Sequence, residues 1–159
     1  MAWTDSHVFR EWPLQTMQVS GTGYTGLDSD TVKVALFDNT VTPDRDAAVA
    51  NAGYNSGTWT LAREVSGGAN WPAGGLPLTG KTFTSPAPGT AMFDAADLPA
   101  SGTLTLTNAY GCLVYDHSIT GGTVADQGVA FLYFGGAQSV TAGNFSIIFS
   151  SNGIVRFAA

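Results

Sequence analysis

Cysteine, charge and long apolar runs are all scarce in this chain. One cysteine, Cys112, among 159 residues forbids any disulfide within the chain, so no secretory disulfide framework is read. Lys and Arg number six and Asp and Glu twelve, 11% of the residues, where ordinary soluble domains carry about 25%. Six scattered cations and a net charge of −6 do not supply the clustered positive charge that displaces counterions from phosphates, which excludes nucleic acid as a partner. Dense Glu/Lys/Leu heptads are absent, which excludes a coiled coil. The longest apolar run, Val129 to Phe134, falls far short of the roughly 20 residues a membrane helix takes. The opening Met1-Ala2-Trp3-Thr4-Asp5 has neither a basic nor an apolar signal region, so synthesis in a cytoplasm with no membrane partner is expected.

What is present is apolar and turn-rich. At 44% apolar and 11% aromatic residues the chain is not a disordered one. A 16.4 kDa chain buries about two-thirds of its unfolded surface, enough for one core without metal or disulfides. From residue 31 onward short β-strands alternate with Gly/Pro/Asn/Asp turns. Residues 31–37 alternate, with Val32, Val34 and Leu36 on one face. Residues 58–65 read as a second strand with Trp59, Leu61 and Arg63 on one side. Residues 81–84 and 90–93 are shorter strands, and 102–107 alternates throughout. The continuous apolar runs 111–115 and 129–134 predict strands covered on both faces. Residues 144–150 place Phe145, Ile147 and Phe149 on one side, and 153–157 closes the chain. Ten-residue spacings of this kind predict an all-β fold: one antiparallel β-sandwich, or a jelly-roll-like or barrel domain.

One short helix is predicted over about residues 43–52. Thr42 is placed to cap it, Pro43 to open it, and Asp44 and Asp46 to meet its positive end. Gly53 is placed to end it. A further turn is expected at 94–98. Residues 1–30 differ from the rest, and the chain divides into an N-terminal arm with a flexible joint (1–30) and a β domain (31–159). Within the arm, Trp3, Phe9, Trp12, Leu14 and Met17 are the candidate partner-binding residues, since interfaces favour aromatics and Met over Lys and Glu. An ordinary first strand of the same domain is the competing reading of this segment.

Catalytic groups are thin. The histidines are His7 and His117, and Cys112 lies five residues before His117 inside a strand-like run, an offset that sends the two side chains to opposite faces. No catalytic residue, cofactor site or metal site is therefore assigned. Asp28-Ser29-Asp30 lacks the later Gly and Glu of a calcium loop, and the Gly67-Gly68 and Gly74-Gly75 pairs lack the Lys-Ser/Thr of a phosphate loop. Trp59 and Trp71 are read as core and loop anchor before sugar-stacking platforms.

Four blocks carry a resemblance. They are Val32 to Thr40 with Thr42-Pro43-Asp44, then Phe93 to Leu98, Gly111 to Asp116, and Val129 to Gly136 with Gly143 to Phe157. In this order they resemble small virion proteins of tailed bacteriophages, above all those of actinobacterial hosts, some of which look like capsid decoration (cement) proteins. The resemblance spans roughly residues 30–158 and carries no catalytic motif. It implies a structural component of the virion and leaves decoration, tail and connector roles open; a capsid decoration protein on the capsid surface, stabilising a phage head, is the favoured expectation, and with catalytic groups so thin no enzyme is expected. The partners it implies are the major capsid protein and further copies of the chain, a trimer being favoured. A tail or head–tail connector component is the first alternative. A carbohydrate-binding or adhesin module using Tyr54, Trp59 or Trp71 is the second.

Overall fold

The computed structural model describes residues 3–9, 23–100 and 102–158. The fold is all-β, with every strand pair antiparallel. The strands are β1 (His7–Val8), β2 (Val32–Phe37), β3 (Glu64–Val65), β4 (Leu76–Pro77), β5 (Thr82–Thr84) and β6 (Thr90–Asp94). They continue with β7 (Leu98–Pro99), β8 (Leu104–Asp116), β9 (Gln127–Gly143), β10 (Ser146–Ile147) and β11 (Val155–Ala158). Among the described strands a six-stranded sheet runs β1-β9-β8-β2-β3, with β4 also on β2. Sheets β11-β6-β5 and β10-β7 complete the structure. The buried side chains of all three sheets form one contiguous core.

The long strands β8 and β9 are the spine. The 102–107 and 111–115 segments belong to one 13-residue strand, and the 129–134 run is part of a 17-residue one. Asn108, with φ at 57°, sits where the two halves of β8 join, and the Ser139 hydroxyl takes up its amide (2.9 Å). A bulge thus absorbs the break and the strand continues. In β2 Ala35 and Phe37 are as fully buried as Val32, Val34 and Leu36, as a central strand covered on both faces requires.

Residues 3–9 belong to this body. β1 pairs with β9 through His7–Phe131 and Val8–Ala130. Trp3 and Phe9 have no exposed surface. Each lies over a glycine of the sheet. A Cβ on Gly111 would come within 2.6 Å of the Trp3 ring, and one on Gly128 within 2.7 Å of the Phe9 ring. The two glycines leave the space the rings fill, an aromatic-over-glycine pairing that pins strand register. Trp59 meets Trp3, Phe9 and Phe37 edge-on at centroid distances of 5.6, 6.0 and 5.2 Å. Residues 3–9 of the N-terminal arm thus lie against the body of the domain. Residues 23–30 also pack against the body, with Leu27 and Asp30 buried.

The helix expected over 43–52 does not form. Only a single 3-10 turn, Val49–Asn51, is present there. The Asp44 carboxylate instead accepts the Asp46 amide (2.9 Å), the local competition by which Asp favours turns over helices. Ala48 is extended (φ −56°, ψ 147°) and interrupts the path. A ten-residue helix is too marginal alone to override both. Similarly, residues 58–65 turn through a 3-10 segment, Leu61–Arg63, before β3, held by the Arg63 guanidinium on the Thr58 hydroxyl (2.6 Å). No turn of helix follows Asp94; β6 passes through 95–97 to β7.

Candidate functional site

Polar chemistry concentrates where β8 ends. Strand alternation sends Tyr115 to one face of the sheet and Asp116 to the other. On the first face the Tyr115 ring stacks on Tyr54 at 4.8 Å and 9°. The Tyr115 hydroxyl donates to the Gly74 carbonyl (2.7 Å), the Tyr54 hydroxyl to Glu64 Oε2 (2.7 Å), and the Gly74 amide to Glu64 Oε1 (2.6 Å). Burial pushes the Glu64 carboxyl up, and the bonds from Tyr54 and Gly74 oppose it. Burial also raises both tyrosine hydroxyls, and the Glu64 charge reinforces this. The network ties β3, the loop before β4 and the end of β8 together.

On the second face Asp116 meets Asp30. Asp116 is fully buried, and its carboxyl is pushed up to about 7, first by burial and then by the Asp30 charge. Its Oδ1 accepts the Ser118 amide (2.9 Å), while the buried Oδ2 has no hydrogen-bond partner among the described residues. Asp30 moves the other way. Burial would raise it, but the Thr25 hydroxyl, the Thr25 and Gly26 amides (2.9 and 3.2 Å) and the Asp116 carboxyl outweigh burial and hold it low. The two carboxyls are thus pushed in opposite directions, Asp116 toward its protonated form and Asp30 toward its ionised one. Lys81 Nζ donates to the Asp30 carbonyl. With Asp30 4% exposed and Asp116 at zero, no substrate reaches this pair. It fastens residues 24–30 to the end of β8.

Between the two faces His117 Nδ1 lies 2.6 Å from Asp126 Oδ1, and both are partly exposed. This is the orienting half of a triad. Among the described residues no hydroxyl or thiol hydrogen-bonds to His117. Cys112 is fully buried within β8, and burial pushes its thiol up to about 12, so it is a packing residue. The Asp30 lone pairs are occupied as described, which leaves Asp28-Ser29-Asp30 no open cage for calcium. Among the described residues no group of three His, Cys, Asp or Glu is placed to hold a metal ion. Trp59 and Trp71 are buried, the latter edge-on to Phe145 at 5.3 Å, so neither presents a ring to a sugar.

The candidate partner-binding residues separate. Trp3 and Phe9 are core residues and cannot face a partner, because the hollows over Gly111 and Gly128 take them in. Trp12, Leu14 and Met17 lie outside the described residues. The open surface is elsewhere, at the far end of β8 and β9. There a groove of about 280 Å³ is lined by Phe134, Gln138, Phe145, Ser146, Ile147 and Ile148. Ile148 is 76% exposed, the most exposed large apolar side chain among the described residues. Its signal in the sequence is that no charged residue occurs between Asp97 and Asp116, nor between Asp126 and Arg156.

Among the described residues no helix is long and apolar enough to cross a membrane. No protein-family model, curated protein or solved structure matches this chain.

Proposed function

We propose that the chain is a virion structural protein, a capsid decoration (cement) protein that binds the outer surface of a phage head and stabilises it. The observation that carries the reading is the pairing of a tightly fastened β body with a long exposed surface free of charge. Interfaces are depleted in Lys, Glu and Asp, and the far half of β8–β9 contains none of them. The titratable groups near the end of β8 are engaged with one another as fastenings, which supports a structural role. The block resemblance supplies the class of assembly: a phage head, with the major capsid protein and further copies of the chain as partners. A tail or head–tail connector component is the second reading, since a ribbon whose two outer edges no described strand covers also suits ring closure.

Purified chain mixed with heads that lack it tests the reading. Binding that saturates at a fixed copy number per head, with a raised temperature of head disruption, is the expected result. Binding to tails only, or to neither, contradicts it.

A further inference from the structure

We propose that the far half of the β8–β9 ribbon, with the groove beside it, is the surface through which copies of this chain associate with one another. The inference deepens the virion reading, rests on it for its setting and shares its charge-free surface; the unpaired strand edges and the groove are its own evidence.

Backbone pairing is the first argument. β2 pairs with β8 from Gly111 to Asp116, and β1 pairs with β9 at Ala130 and Phe131, flanked by the Phe9 amide on the Val129 carbonyl (3.1 Å) and the Tyr133 amide on the Ser6 hydroxyl (2.7 Å). Beyond these points β8 and β9 pair only with each other, so no described strand covers either outer edge. Proteins protect such edges with charges, above all Lys, or with Pro. Neither occurs in residues 104–110 or 134–143. What is present is irregularity. Between the Gly111–Tyr133 and Ala109–Gln138 pairs β8 advances two residues and β9 five. The extra residues include Gly135 and Gly136 at φ 79° and 154°, which glycine adopts without strain. The bulge turns the ribbon and leaves its edges unprotected by charge.

Electrostatics identifies the occupant. A chain of net charge −6 repels its own copies wherever acidic faces meet. Two copies therefore come together best where no charge lies. A cationic partner would favour an acidic face instead. Asp97 borders the surface, and its carboxylate is engaged by the Phe149 amide (3.0 Å). The groove adds an apolar seat: the exposed Ile148 side chain stands beside Phe134, Phe145 and Ile147. Burying that side chain in a desolvated pocket makes an interface anchor.

Sedimentation equilibrium of the full chain over a wide concentration range is the test, with circular dichroism to confirm folding. The wild type is expected to self-associate, and more tightly at high salt, because screening removes the like-charge repulsion. Ile148→Lys and Ala137→Lys, both at exposed positions, are expected to weaken association by at least about thirtyfold. Phe83→Lys, at the exposed apolar position on β5 away from the ribbon, is expected to leave it unchanged. If Ile148→Lys fails to fold, Ala137→Lys decides. A wild type that stays monomeric, or one that dissociates with Phe83→Lys but not with the ribbon variants, overturns the inference. Neither result touches the virion reading if the chain still saturates heads. Conversely, a chain that associates through the ribbon yet binds no phage particle keeps the inference and overturns the virion reading.

Discussion

From Gly111 to Asp116 every residue of β8 is buried, and so is every residue of β9 from Gln127 to Phe131. Farther out the same two strands alternate or lie open: Leu104, Leu106 and Ala109 are buried while Thr105, Thr107 and Asn108 are exposed, and β9 has no buried residue after Phe131. The inner half keeps register over Gly111–Tyr133 to Val114–Ala130 and shifts once, between Val114 and Tyr115, whereas three shifts lie between Leu104 and Gly111. The difference follows from what each half is packed against. The inner half has β1 and β2 alongside and aromatic rings above Gly111 and Gly128, so any lateral slip collides with them. The outer half has one covered face and side-chain hydroxyls standing in for ladder bonds, as Ser139 does for the Asn108 amide and Thr105 for the Ala142 amide. A single pair of strands thus serves as core at one end and as available surface at the other.

The largest effect that would break this comparison lies in the inner half. Trp3→Ala is expected to cost about 3–5 kcal/mol, read as a lowered urea midpoint. A loss below about 1 kcal/mol would mean that the ring is not a core member. Next comes Gly111→Ala, which forces a methyl against the Trp3 ring and the Leu132 carbonyl. Overpacking of this kind costs about 1–3 kcal/mol, and Trp3→Ala should relieve part of it in the double variant.

Smaller, but with a distinctive pH signature, is the Asp30–Asp116 pair. Asp116 titrates near 7 when folded, above the ordinary carboxylate value of about 3.9 it regains on unfolding. Folding therefore takes up a proton between these values, and this part of the stability is full in acid and lost as pH rises through about 7. Asp30, held low, acts oppositely: its part is present above the ordinary value and is lost as pH falls below it. Asp116→Asn keeps a donor toward Asp30 without a charge. It is expected to flatten the fall in thermal stability between pH 4 and 7 and to raise the melting temperature at pH 8. An unchanged slope would show that Asp116 is not pushed toward its protonated form. Smallest of all, Ile148→Ser in the outer half should change monomer stability by no more than about 0.5 kcal/mol.

The same contrast explains what the sequence disclosed. Strands at 31–37, 81–84 and 90–93 are legible in the sequence to within about a residue at each end, and 102–107 only as one half of the longer β8. The N-terminal rings were not, because the hollows that receive Trp3 and Phe9 belong to glycines more than a hundred residues away, and periodicity within a segment cannot register them. The sign was nevertheless there, in two glycines set inside or beside otherwise apolar strands. The helix at 43–52 failed because one aspartate, Asp44, bonded its own turn. The carboxyl pair was illegible for a related reason: Asp30 reads as a solvated turn until β2 lays it beside Asp116. The outer surface was legible only as an absence, the two long charge-free stretches.

Amide hydrogen exchange of the full chain, measured at rising concentration and then on phage heads, tests the division of β8 and β9 most directly. The account predicts that amides of 111–116 and 127–131 are protected at every concentration. Those of 104–110 and 134–143 should exchange fast in dilute solution and become protected on assembly. An outer half as protected as the inner one at high dilution, or one unchanged by assembly, would contradict it.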